Sequence, residues 1–523
     1  MKKQKVKVKK NKKVGRKRVL FPVRFVICAL LILVQVILTY GLISLLGDQF
    51  IYAQTVFTVI SILMLIHLLN EDEPAAHKLP WAVVILVLPV VGVIIYGMFG
   101  TPQQTRRAKK RFEQVNKEAE LYLRANDDTL DSLEAQSPEG SSLSRYLQNV
   151  CNIPPYSNTR ATYIPGGEEF FDLLLEDVRN AKNYIFLEYF IITPGEIWNR
   201  LHDALIERLA DGVKIYILYD DIGSIKKTPS VFDGVLRDEG IKCYKFNPFI
   251  PVATTLHNNR DHRKIAVIDG KIAYTGGINI ADEYANIEKP FGVWKDSAVR
   301  LCGEAVDGFV FMFTQLYNIF APDPLDPAEF LATHEKGEND GFIQPYGDGP
   351  RPMYNDYIGK NLYLGIINSA KKYLYIATPY LIVGYEFEEA LIFAAKRGVD
   401  VRIITPHIPD KKYIFTITRS SYAKLMAGGV KIYEYEPGFI HSKIILSDDE
   451  TGVIGTVNFD YRSLVHHYEC GAFICKSGVL KDIKADYLKT INLNGIPQTE
   501  ESAKLNFFEK IVKTITELFT PLL

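Results

Sequence analysis

Three long apolar stretches open the chain after a basic start: Phe25 to Leu46, Phe50 to Leu69 and Leu79 to Phe99. Each approaches the roughly 20 residues a helix needs to cross a bilayer. Gln35 is the only strongly polar side chain in the first. The third begins near Trp81 and closes with Tyr96 and Phe99, aromatic residues suited to the two membrane interfaces. Its Pro89 and Gly92 are tolerated in membrane helices. The pattern predicts a membrane module over residues 19–100 with two to three transmembrane helices. A cleaved signal peptide does not fit, because the first stretch is too long, lacks a small-residue cleavage site and runs at once into another apolar segment. From about Gln114 to Ser144 the chain turns polar and acidic, and its Gln136–Ser142 portion, QSPEGSS, has the composition of a linker. Residues 101–146 are therefore expected to connect the membrane module to the catalytic region.

Beyond Leu147 the pattern repeats. Ala181-Lys182-Asn183-Tyr184 leads into the strand-like run IFLEYFII, and Ala370-Lys371-Lys372-Tyr373 leads into LYIATPYLI. An amphipathic helical stretch comes next in each case and stops at a glycine, Gly212 or Gly398, before a β-rich run. Gly240-Ile241-Lys242 with Tyr244 then matches Gly429-Val430-Lys431 with Tyr433. Alternating strand and helix patterns imply an α/β fold with a mixed or largely parallel sheet in each half. A repeat of this length is a duplicated domain rather than a solenoid. The halves are placed at 147–330 and 331–500.

Each half delivers the pattern H-x-K-x-x-x-x-D: His262, Lys264 and Asp269 in the first, His441, Lys443 and Asp448 in the second. On a strand, side chains two apart share a face, so an imidazole and an ammonium stand side by side. The ammonium suits phosphate oxygens, and the imidazole can serve as nucleophile, acid or base. Each strand leads into a small-residue turn and an asparagine, Thr275-Gly276-Gly277 then Asn279, and Gly455-Thr456 then Asn458. The glycines allow close backbone approach to a ligand, and the Asn amides can donate to non-bridging oxygens. Two copies together surround one phosphate with two His, two Lys and two Asn, a metal-free stabiliser for a pentacoordinate transition state. A carboxylate should orient each imidazole, and Asp296 and Glu469 lie 34 and 28 residues after their respective histidines. Asp269 and Asp448 fall at strand ends before turns, where a structural role is expected. A single such motif arises easily by chance; two at matching points of a repeat do not.

These residues resemble the phospholipase D superfamily, whose signature is this paired motif, and within it the bacterial cardiolipin synthases. The stretch LPWAVVILVLPVVGVIIYGMFG, the runs TGGINIADEY and GTVNFDYRS, and the ending LFTPLL carry the narrower likeness. It extends from about Arg24 to the end and leaves out the basic start. The resemblance implies two similar phospholipase D-like halves sharing one active site, and a phosphatidyltransferase that joins two phosphatidylglycerols into cardiolipin and releases glycerol. It implies His262 as nucleophile through a phosphatidyl-histidine, and His441 as acid and base. Lys264, Lys443, Asn279 and Asn458 would bind phosphate, Asp296 and Glu469 would orient the imidazoles, and neither metal nor cofactor is called for. The alternative is a hydrolase that passes the same intermediate to water and releases phosphatidic acid. A non-catalytic scaffold predicts erosion of one motif, and both are complete.

The balance of 61 basic and 61 acidic residues hides an asymmetry, because the first 18 residues carry eleven Lys or Arg and no acid. Such a block acts as an interaction tail; at a surface of anionic lipids each basic residue contributes on the order of 1 kcal/mol. With the catalytic halves near neutral, nucleic acid is not an expected partner. RRAKKR at 106–111 forms a second basic flank, while Glu71-Asp72-Glu73 is acidic. The positive-inside rule puts both basic flanks in the cytoplasm of a multi-pass protein of the bacterial cell membrane. Two crossings satisfy it and three do not, so one stretch is expected to be re-entrant or shallow. The six cysteines are scattered without a C-x-x-C pair, which indicates neither a disulfide framework nor a zinc knuckle. In the tail 501–523, Phe507, Phe508, Ile511, Ile515, Leu518 and Phe519 share one helical face. That helix either docks on the domain or lies at the bilayer interface near the substrate entrance.

Overall fold

The computed structural model describes residues 41, 44, 50–71, 75–87, 89–100, 106–123, 127–249, 259–334 and 340–502. The basic tail, nearly all of the first apolar stretch and the C-terminal amphipathic segment lie outside them.

The catalytic region is built on two large mixed sheets, with two further two-stranded sheets among the described residues. The first half contributes β1 (Thr159–Ile164), β2 (Tyr184–Tyr189), β3 (Lys214–Asp220), β4 (Lys242–Phe246), β5 (Lys264–Ile268), β6 (Ile272–Gly276), β7 (Val293–Lys295) and β8 (Ala298–Gly303). The second contributes β9 (Phe342–Asp348), β10 (Tyr373–Ala377), β11 (Leu381–Ile382), β12 (Asp400–Pro406), β13 (Lys431–Tyr435), β14 (Gly438–Ile440), β15 (Ile444–Ser447), β16 (Thr451–Gly455), β17 (Phe459–Asp460), β18 (Glu469–Cys475) and β19 (Gly495–Pro497). The sheets run β1-β8-β6-β5-β2-β3-β4 and β9-β18-β16-β15-β10-β12-β13-β19. Strand for strand the order is the same, with β19 added at one edge. In each, three strands are parallel (β2-β3-β4 and β10-β12-β13) and the remaining pairs are antiparallel.

The central strands read as unbroken apolar runs because both faces of each sheet are covered. Every residue of β2, β5, β10 and β16 is buried. Helix Val306–Phe320 is apolar almost all round and buried along nearly its whole length, as a helix between two layers must be. It packs on β4 and β5 of the first sheet and on β9 of the second. At Gly308 a Cβ would lie 3.0 Å from Pro345 of β9, so glycine eases the close approach of the helix there.

The stretch expected to be a linker is mostly helical. Helices span Arg106–Tyr122, Asp127–Gln136 and Pro138–Cys151. The first buries Ala108, Phe112, Val115 and Ala119 in the common core, with Phe112 edge-on to Tyr354 at 5.2 Å. In the third, Ser137 is the N-cap, its Oγ accepting from Gly140 N–H at 3.2 Å, and Pro138 takes the first helical position. Ser-Pro-Glu is thus a helix start, although its composition reads as a linker. Arg111 is not free in the basic flank: its guanidinium donates to the carbonyls of Asn318 and Ala321 at 2.7 and 2.8 Å, closing the end of helix Val306–Phe320.

The third apolar stretch is not one helix. Ala75–Val87 and Pro89–Phe99 are separate helices of 13 and 11 residues, about 20 and 17 Å long at 1.5 Å per residue. They fold back on each other, with the Trp81 and Tyr96 rings edge-to-face at 5.4 Å. A Cβ on Gly92 would fall 2.3 Å from the Val84 carbonyl oxygen, so glycine permits the close return. The second stretch forms helix Phe50–Asn70, whose run is interrupted by Gln54, Thr55, Thr58, Ser61 and His67. Among the described residues no helix is long and apolar enough to cross a membrane.

Candidate active site

The two motif histidines meet where the sheets face each other across β6 and β16. Each sits just before its strand, β5 or β15, and its backbone is tied to the opposite half. His262 N–H donates to Tyr468 O at 2.9 Å, and His441 N–H to Lys295 O at 2.7 Å. The same exchange is visible as parallel pairing of β14 with β7 and as a bridge between Asp261 and Tyr468. Tyr468 and Lys295 immediately precede Glu469 and Asp296.

That pairing crosses the carboxylates. His262 Nδ1 lies 2.9 Å from Glu469 Oε1, and His441 Nδ1 lies 2.7 Å from Asp296 Oδ2. Each imidazole is oriented by the carboxylate of the other half, not by the one downstream of it in its own half, as sequence order suggested. Neither half contains a complete site. With an ionised carboxylate as acceptor, Nδ1 carries the proton on each ring, and Nε2, on the far side from the carboxylate, is left for a reactant.

Both imidazoles are 7% exposed, and Lys264 and Lys443 lie beneath them at 2% and 1%. A reactant can touch the ring tips while bulk water is kept from the charges. Each lysine donates to the carbonyl of its own histidine, Lys264 Nζ at 2.6 Å. Burial pushes Lys264 down to about 8 and Lys443 to about 7. Burial, with Lys443 next, brings His441 down to about 4 against the pull of Asp296. Burial and Lys264 push His262 well below the usual imidazole value. Burial opposes charge on Asp296, yet His441 and Lys443 hold its carboxyl below the carboxylate range. Glu469 is pushed well above it by burial, with Lys264 pulling the other way. Aromatic rings line the two sides unequally: Phe190 and His467 lie against His262 at 5.0 and 5.4 Å, and Trp294, Tyr284 and Phe439 against His441 at 5.3, 5.5 and 5.9 Å.

The asparagines occupy matching places. Asn279 Nδ2 donates to Tyr284 Oη at 2.7 Å and Asn458 Nδ2 to Ser463 Oγ at 3.1 Å. Each amide has a second N–H. The neighbouring glycines are demanded by the protein's own packing: a Cβ on Gly277 would lie 2.1 Å from Asp296 Oδ1, and one on Gly455 2.4 Å from Cys470 O.

Asp269 and Asp448 stand away from the chemistry. Each adopts a left-handed backbone, φ 53° and 61°, and each carboxylate accepts three successive backbone N–H groups. Asp269 takes Lys182, Asn183 and Tyr184 at 2.7–2.9 Å, and Asp448 takes Lys371, Lys372 and Tyr373 at 2.7–2.8 Å. They staple the A-K-x-Y turns to the motif strands. Asp269→Ala is expected to cost about 1–3 kcal/mol through the unpaired donors. Thermal unfolding should show a lowered midpoint, with activity retained by the folded fraction at low temperature.

Motif reasoning alone misses Thr456, Trp294 and His467 as partners of the carboxylates. Thr456 Oγ1 donates to Glu469, and Trp294 Nε1 lies 3.5 Å from Asp296 Oδ2. Trp294 and His467 each stand two residues before an orienting carboxylate, a signal present when the two halves are aligned on each other. Among the described residues, His262, His467 and Glu469 form one group with ligand atoms all within 4.8 Å, enough in kind for a divalent metal. The ammonium of Lys264, which acts on all three, opposes a dication there.

The comparisons with known proteins agree with this geometry. The family model "Cardiolipin synthase, PLD-like domain" matches residues 174–298 and 363–490, one segment in each half. A model described as "Phospholipase_D-nuclease N-terminal" matches 59–100. A cardiolipin synthase of Geobacillus sp. (strain WCH70) is 34% identical over 87% of this chain and 90% of its own, and cardiolipin synthase 2 of Bacillus anthracis 31% over 89% and 91%. The chain belongs to the cardiolipin synthase family of the phospholipase D superfamily. The crystal structure of phosphatidylserine synthase from Haemophilus influenzae Rd KW20 shares its fold, with a TM-score of 0.56 at 13% identity over 73% of this chain and 98% of that one. Membership makes this an enzyme of the phosphatidyltransferase class.

Proposed function

We propose that the site moves a phosphatidyl group from one phosphatidylglycerol to a hydroxyl of a second, giving cardiolipin and glycerol. The observation that carries this reading is the pair of Nδ1-anchored histidines, each held by the opposite half of a cardiolipin synthase-type chain. In the first step His262 Nε2 attacks phosphorus, and the P–O bond to glycerol breaks as His441, doubly protonated in the complex with the anionic lipid, gives its Nε2 proton to the leaving oxygen. In the second, His441 takes the proton of the acceptor hydroxyl, whose oxygen attacks phosphorus and breaks the P–N bond. Lys264, Lys443, Asn279 and Asn458 hold the non-bridging oxygens, where negative charge grows in both transition states. An entering phosphodiester anion offsets the field of the two lysines and raises both imidazoles toward working values.

The N-terminal helices support delivery at a bilayer. Helix Phe50–Asn70 leaves Val56, Val59, Ile62, Leu63, Ile66 and Leu69 exposed, a surface suited to acyl chains. The folded-back pair at 75–99 makes the third apolar stretch re-entrant in this reading. The two basic flanks, at the start of the chain and at 106–111, support a cytoplasmic face for the catalytic region.

The test is product analysis by mass spectrometry, with purified enzyme in detergent and phosphatidylglycerol as sole lipid. Cardiolipin and glycerol in equal amounts are expected. Phosphatidic acid as the main product would replace transfer with hydrolysis. The lysines set the pH dependence. Their ammonium forms are lost as pH rises through about 7 and 8, so kcat/KM, which reports the free enzyme, should fall on the alkaline side. A profile still rising at about pH 9 would contradict a lysine clamp.

A further inference from the structure

The two orienting carboxylates are held by different sets of donors. Asp296 receives His441 Nδ1, the Ser297 backbone N–H at 2.8 Å and, at 3.5 Å, the indole N–H of Trp294. Glu469 receives His262 Nδ1 and the Thr456 hydroxyl. Where Trp294 stands in one half, two residues before the carboxylate, His467 stands in the other. Its Nδ1 is 3.7 Å from Glu469 Oε1. The residue is 8% exposed, and neither ring nitrogen has a hydrogen-bond partner. A buried imidazole with two idle nitrogens costs free energy unless the working enzyme uses it. Catalytic hydrogen bonds are commonly long in the free protein and tighten with substrate bound.

We propose that His467 is a positioning residue for phosphatidyl transfer. Its Nδ1–H is the third donor to Glu469, the counterpart of the Trp294 indole N–H on Asp296, and keeps that carboxylate ionised and aimed at His262. The need is greatest when His262 Nε2 is bonded to phosphorus. The ring then carries positive charge with its proton on Nδ1, and a neutral Glu469 could not balance it. Burial works against the charge on Glu469, which makes the extra donor matter more here than at Asp296. Lys264, Thr456, Ser463 and Asp460 also face Glu469, and Arg462, His466, Arg260 and Lys264 face His467.

The inference rests on the transferase reading only for its substrate. The rate to measure is total phosphatidyl turnover, cardiolipin plus phosphatidic acid, so a shift toward hydrolysis and a failure of His467 are distinguishable. His467→Phe keeps a ring without the donor and should lower kcat about 10–100-fold, with KM changed by less than about threefold. Its acid limb should move to higher pH, because Glu469 becomes easier to protonate. His467→Asn, which places an N–H near the Nδ1 position, should recover kcat to within about threefold of the parent. In a Glu469→Gln background, His467→Phe should cost little more, since the effect passes through that carboxylate. If His467→Phe fails to fold, His467→Met replaces it as the donor-free variant. Parental kcat and pH profile in the donor-free variant would overturn the proposal. So would equal losses in the donor-free and Asn variants, or full additivity with Glu469→Gln.

Discussion

His262→Ala and His441→Ala are each expected to reduce cardiolipin formation by about 10⁴-fold or more, while differing sharply with an activated donor. A phosphatidyl ester of p-nitrophenol needs no proton to expel its leaving group. With it, His441→Ala should release a burst of one equivalent of nitrophenolate and then stall. Nothing in that variant takes the proton of the acceptor hydroxyl, so the phosphatidyl-enzyme accumulates. His262→Ala should give no burst at all. Both rings are equally accessible and both present Nε2 to the same space, so loss of activity alone cannot assign the roles; the burst does. The opposite pattern would make His441 the nucleophile, and full activity in either variant would refute a shared site. Denatured His441→Ala protein should carry the phosphatidyl mass, and a peptide containing His262 should hold it.

The repeat made the fold legible, and it named the residues that the structure brings together. Strand runs, helix-ending glycines and motif spacing match at each step, because each half must build the same sheet to deliver one strand with a histidine and a lysine. The partnership of the side chains was not legible. Asp296 and Glu469 were each set beside the histidine of their own half, whereas each contacts the histidine of the other, because strand exchange between halves leaves no trace in spacing. Composition also misled at Gln136–Ser142, where a Ser-Pro helix start carries linker-like residues. Between Leu79 and Phe99 hydrophobicity was legible but direction was not. An apolar run of that length reads as one span, and only the packing of Gly92 on Val84 and of Trp81 on Tyr96 shows the chain turning back. His467 is easily passed over, since a histidine next to a carboxylate looks like surface until its burial and its counterpart Trp294 are known.

The crossed carboxylates make a second, nearly as large prediction that tests the exchange between halves. Glu469→Gln places an amide against His262 Nδ1. An amide N–H there favours the tautomer with the proton on Nε2, which removes the lone pair that attacks phosphorus. A loss of about 10³–10⁴-fold is expected, and the affected step should be formation of the phosphatidyl-enzyme. Glu469→Gln should therefore show almost no burst with the nitrophenyl donor. Asp296→Asn acts on His441 and should lose transfer to a comparable extent while keeping the burst. The substitution in the second half thus disables the histidine of the first, and the reverse. If each carboxylate served the histidine of its own half, the two phenotypes would be exchanged: Asp296→Asn would abolish the burst and Glu469→Gln would keep it. A combined His262→Ala, Glu469→Gln variant should be little worse than His262→Ala alone, whereas Asp296→Asn added to His262→Ala removes a separate function. This non-additivity within each crossed pair, and not within each half, is the energetic signature of a site that neither half can form by itself.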